Sequence, residues 1–188
     1  MGRGRIPIHC AMLRFIGGAS GPLALCAAAM ICVEVLAADG SKPVEPNATK
    51  DGPVSELRRE AEHGDFNAQY LLGCCYNGDF GCPKDPVEAS KWWKKAAEKG
   101  VADAQYCLGL SLYLGQGVHK DTVEAAKWWR RAAVQNHADA QYFLGLSYCA
   151  GLGVQKSTPL AIYWLHRSAS QGNKAALELL SKIGLAPG

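Results

Sequence analysis

Cys74, Cys75 and Cys82 fall within nine residues of one another, and Cys107 and Cys149 follow further along. The segment between Cys75 and Cys82 reads as a turn that folds back on the helix before it. One disulfide from either Cys74 or Cys75 to Cys82 is compatible with that geometry in an oxidising compartment. The competing reading is that these are small apolar residues inside a core. Because five is odd, at least one of these thiols stays unbridged. His63, His119, His137 and His166 do not pair with cysteines or carboxylates at metal-ligand spacing, so loops and caps account for them better than zinc does. Ser111 and Ser147 are the hydroxyls that a converging histidine could activate. No phosphate-cradling glycine loop is found, since the glycines belong to a different pattern, and no cofactor is expected.

That pattern is the framework that positions everything else. Trp92, Trp128 and Trp164 recur every 36 residues, as do Ala68, Ala104, Ala140 and Ala176 and the pairs Leu72-Gly73, Leu108-Gly109 and Leu144-Gly145. Residues 101–136 and 137–172 are identical at 19 of 36 positions, where unrelated segments would agree at roughly two. A period of this length signals a solenoid whose units bury their apolar faces on their neighbours. The first unit is 65–100. Partial units at 54–64 and 173–184 are expected to cap the ends.

Each unit reads as two helices. In the first, Ala104 and Leu108 share a face, and Gly109 admits a close neighbour. Asp103 and Asp139 sit where carboxylates suit a helix N-terminus. Gly115 and Gly117, then Gly151 and Gly153, mark a turn with positive φ. Asp85 and Asp121 are expected N-caps, with Glu88 and Glu124 completing a capping box. Ser157 is expected to cap in the third unit, and Asp79 to stand in the left-handed turn position of the first. The second helix presents Ala89, Trp92 and Ala96 on one face, and Gly100, Asn136 and Gly172 end it. Trp93 and Trp129 are expected to pack on the following repeat, with an exposed aromatic contact as the other option.

The run Ala68-Leu72-Gly73-Tyr76, then Asp85, then Ala89-Trp92-Ala96-Ala97-Gly100, followed by two further units, resembles the Sel1-like repeat, a relative of the tetratricopeptide repeat. The resemblance covers about residues 54–183. It implies an all-α, right-handed solenoid of helix-turn-helix units. Some Sel1-like proteins are cysteine-rich, with one regular bridge per repeat, and some of those carry a β-lactamase label. The regular cysteine spacing is missing here. So is the Ser-x-x-Lys motif of serine β-lactamases.

The N-terminal 38 residues have the order of a secretory signal. Arg3, Arg5 and Arg14 precede the apolar run LALCAAAMICV, and Val35, Leu36, Ala37 and Ala38 close it. A retained anchor, or a true start at Met12, is the alternative. Residues 39–53 read as a flexible linker carrying the sequon Asn47-Ala48-Thr49. Beyond residue 38 the chain holds 17 basic and 16 acidic side chains, too close to neutral to call for nucleic acid.

In such a solenoid the first helices line the concave face, where peptides dock. Rotating them at about 100° per residue puts Tyr70, Cys74 and Asn77 opposite the repeat-forming side. The equivalents are Tyr106, Leu110 and Tyr113, then Tyr142, Leu146 and Cys149. The expectation is a non-catalytic, exported adaptor that binds a protein or peptide on this stripe. A cell-envelope hydrolase is the alternative.

Overall fold

A computed structural model of the chain describes residues 53–79 and 82–183. The expected signal segment, the sequon and the linker up to residue 52 lie outside the described residues. Within them the fold is all helical: α1 Pro53–Glu62, α2 Phe66–Asn77, α3 Pro86–Glu98, α4 Ala102–Leu114, α5 Thr122–Val134, α6 Ala138–Ala150, α7 Thr158–Ser170 and α8 Lys174–Lys182. Each helix packs on its successor, so α2–α3, α4–α5 and α6–α7 are the three helix pairs, with α1 and α8 flanking them.

The two tryptophans of α3, and of α5, do different work. Trp92 packs with Ala61, Ala68, Leu72 and Cys75, and Trp128 joins the cluster of Tyr70, Trp93 and Leu108. These period-setting rings therefore tie each unit to the one before it. Trp93 and Trp129 are buried too, each seated on a glycine of its own unit and packed against the following one, Trp93 in the cluster with Cys107, Leu108 and Trp128 and Trp129 at 5.1 Å from Phe143. A Cβ at Gly73 would lie 2.4 Å from Trp93 Cδ1, and one at Gly109 would lie 2.5 Å from Trp129 Nε1. The glycine of each Leu-Gly pair is thus a socket for an indole. In the third unit Leu165 occupies the socket of Gly145.

Caps follow the sequence pattern with three corrections. Asp85 Oδ1 accepts from the Val87 and Glu88 amides, and Asp121 Oδ1 from those of Val123 and Glu124. Glu88 and Glu124 instead pair forward with Lys91 and Lys127. Ser157 stands at the N-cap of α7 but accepts no capping bond. Pro159 at the second helical position lacks one of the two amides an N-cap side chain can reach. Asp79 does not take the left-handed conformation either. Gly78 does, at φ 108°, so α2 stops one residue before the point where α4 and α6 end on Gly115 and Gly151. At the ends of the second helices Gly100, Asn136 and Gly172 all have positive φ, as their shared position requires.

Candidate functional site

The thiols sort cleanly. Cys75, not Cys74, is bonded to Cys82, with the two Cα atoms 5.4 Å apart. Ser111 and Ser147 hold the places equivalent to Cys75, and Val118 and Val154 those equivalent to Cys82. The bridge thus ties helix to turn at two positions where the other units have a serine and a valine. Cys74 and Cys107 are buried, and Cys149 is exposed and unbridged.

Nucleophile and base do not converge on Ser111 or Ser147. The Ser111 hydroxyl donates to the Cys107 carbonyl at 3.0 Å and Ser147 to that of Phe143 at 2.8 Å, each within its own helix. His137 makes the outline of a histidine–carboxylate pair, with Nε2 3.2 Å from Asp103. Its Nδ1, however, accepts the Ala140 amide at 3.2 Å as the N-cap of α6. With a proton on Nε2 and an amide on Nδ1, the ring has no lone pair left for a substrate. Asp139 repeats the theme one unit on, accepting from the N-cap side chain of Asn173 at 2.7 Å. Among the described residues no group of three or more histidines, cysteines and carboxylates could hold a metal.

The stripe on the first helices divides in two. Tyr70 and Cys74 are buried in the cluster with Trp93 and Trp128, so they belong to packing and leave the stripe. Burial, with Cys74 and Cys107 alongside, pushes the Tyr70 phenol well above its ordinary range. Tyr106 is half-buried. It stacks on His137 at 4.9 Å, and burial together with the Asp139 carboxylate raises its phenol as well. Leu110, Tyr113, Tyr142 and Leu146 are half-buried, and Asn77 and Cys149 are exposed. Tyr113 leans on Trp129 and Tyr142 on Phe143. Phe143 is the centre of this aromatic group, touching Tyr106, Trp129 and Tyr142. Sequence reasoning passed over it because its counterparts, Leu71 and Cys107, are not aromatic.

Gln69, Gln105 and Gln141 have a structural role that their recurrence alone did not reveal. Each is buried, and each Nε2 donates to a carbonyl of the preceding helix, that of Ala61, Ala97 or Ala133, at 3.0 to 3.1 Å. Gln135 and Gln171 then donate to the side-chain oxygens of Gln105 and Gln141.

The Sel1 repeat matches this chain at residues 67–101, 102–137 and 138–173, a register one or two residues later than the units above. No curated protein matches it. Among solved structures, a Sel1 repeat protein from Oxalobacter formigenes is 38% identical, with a TM-score of 0.62 over 68% of this chain and 96% of that one. The protein c5321, a protective antigen present in uropathogenic Escherichia coli strains and displaying an SLR fold, is 38% identical with a TM-score of 0.65. That match covers 68% of this chain and 27% of c5321. Cysteine rich protein B of Helicobacter pylori, 24% identical with a TM-score of 0.51 over 68% and 97% of the two chains, shares the fold. With three contiguous matches laid over the three helix pairs, the chain belongs to the Sel1 repeat family.

Proposed function

We propose that the chain is a non-catalytic adaptor that holds a protein or extended peptide on the face of α2, α4 and α6. Sel1-repeat proteins generally mediate protein–protein interaction. The observation that carries the reading to this face is the half-buried apolar row of Leu110, Tyr113, Tyr142 and Leu146, continued by Asn77 and Cys149. The exposed edge of Tyr106 contributes to it. Apolar and aromatic side chains left half-covered on successive repeats give a partner area to bury, and aromatic residues are favoured at such contacts.

The adaptor works outside the cytoplasm, as the N-terminal signal pattern implies. The Cys75–Cys82 bridge supports this, because disulfides persist in oxidising compartments. No described helix is long and apolar enough to cross a membrane. Neither nucleic acid nor a small-molecule cofactor is required for this role.

The test compares pull-downs by the wild type and by Leu110→Asp plus Leu146→Asp, using envelope extract of the producing cell. Partners recovered by the wild type should be lost from the variant while its thermal melt stays cooperative. Recovery of the same partners by a folded variant would move binding off this face.

A further inference from the structure

We infer that the second repeat carries a socket for a tyrosine side chain supplied by another protein. Positions 76, 112 and 148 are equivalent, one per repeat, and hold Tyr76, Leu112 and Tyr148. In the third repeat the Tyr148 ring is buried, and Arg130 Nη2 donates to its hydroxyl at 2.5 Å. In the first repeat Arg58 donates to the Tyr76 hydroxyl in the same way. Both guanidinium carbons lie 5.9 Å from the ring centroids. The chain has therefore built the same phenol-and-cation pair twice.

The second repeat keeps the cation and lacks the phenol. Lys94 stands at the position of Arg58 and Arg130, while Leu112 is too short to reach it. Beside Leu112 a cavity of about 260 Å³ opens, lined by Leu108, Leu112, Trp128, Ser90, Lys91 and Lys94. Its walls are mostly carbon, and its charged lining is Lys94, Lys91, which is paired with Glu88, and Glu124. That matches a ring whose hydroxyl oxygen would accept from an ammonium. A volume of about 260 Å³ lies just below the usual range of ligand sites and suits a single side chain more than a drug-sized molecule.

The phenol must come from elsewhere. All seven tyrosines of the chain are among the described residues, so the rest of the sequence cannot supply one. The exposed Tyr163 is already engaged, its hydroxyl 3.2 Å from Arg167 Nη1. Position 112 lies about 200° around α4 from Leu110. The socket is thus a separate contact from the first-helix stripe, and it goes beyond the function proposed above.

The experiment titrates N-acetyl-tyrosinamide and N-acetyl-phenylalaninamide into the folded chain and follows the indole N–H resonances. Tyrosinamide should shift Trp128 saturably and leave Trp164 in place. Phenylalaninamide should bind more weakly by roughly tenfold or more, as should tyrosinamide to Lys94→Met, for want of one charge-assisted hydrogen bond. Leu112→Tyr, which restores the residue of the other two repeats, should abolish the shift. No saturable shift in the wild type, a shift that persists in Leu112→Tyr, or equal binding of the two amides would overturn the socket. None of these outcomes depends on a partner being captured on the stripe.

Discussion

Gln105 and Gln141 use both ends of their amides, the nitrogen on a carbonyl of the preceding helix and the oxygen on Gln135 or Gln171. Gln69 has the first bond only. Lys99 occupies the place of Gln135 and Gln171, and Gln69 Oε1 is buried with no hydrogen-bond partner. A buried carbonyl left unmatched costs about 1 kcal/mol or more. Lys99→Gln should therefore stabilise the chain by about 1 kcal/mol in urea unfolding. An unchanged or lower midpoint would show that the amide bridge contributes nothing. The phenols of Tyr70 and Tyr106 make a second claim at this scale. Burial raises both in the folded state, so the fold binds those protons more tightly than the unfolded chain does. Their contribution is complete below the unfolded phenol value near ~10 and is lost as pH rises beyond it. Phenolate absorbance should show two tyrosines ionising only as helical circular dichroism disappears. All seven ionising with the helices intact would contradict the assigned environments.

At the level of elements, the C-terminus of α2 differs from those of α4 and α6 in three linked ways. It ends a residue early on Gly78, it carries Cys75 where the others have serine, and it is tied to Cys82 in the turn. Closing so short a loop is worth about 2 kcal/mol in the chain-entropy view. Reduction should lower the unfolding free energy by about that amount, and hydrogen exchange should accelerate first in α2 and the turn to α3. Reduction without effect on either would mean that the turn is held by packing alone. The period, the helix pairs and the aspartate caps of α3 and α5 were legible in the residue pattern, because each depends on spacing within one unit. What was not legible depends on contacts between elements. Helical rotation placed Tyr70 and Cys74 opposite the repeat-forming side, but it says nothing about how deeply Trp128 covers them. The spacing allowed Cys74 or Cys75 to meet Cys82, and one residue of rotation decides between them. His137 reads as a stray histidine until the Ala140 amide and Asp103 are seen on its two nitrogens. The missing cap at Ser157 was visible in principle, since Pro159 announces the absent amide.

Across the whole array, the repeats meet at seams where glycine is required on two counts. Gly117 and Gly153 have φ values of 70° and 69°, and a Cβ on either would lie 1.9 Å from a carbonyl oxygen of the preceding repeat, that of Pro86 or Thr122. Each turn thus rests its backbone on the start of the previous second helix. In a linear array, stability is a sum of unit terms and nearest-neighbour interface terms, so damage at one seam should act locally. Gly153→Ala displaces the seam between the second and third repeats and adds about 1 kcal/mol of left-handed strain. Gly100→Ala is the control, because Gly100 has φ 96° with nothing within 4 Å of its would-be Cβ. It carries backbone strain without a seam. Native-state hydrogen exchange should show α6 to α8 losing protection ahead of α1 to α5 in Gly153→Ala, with a lower denaturant dependence for that opening. Gly100→Ala should lower protection without separating the C-terminal unit. If Gly153→Ala instead weakens all eight helices in parallel, the described array unfolds as one block, and the seam glycines are needed for the turn conformation alone.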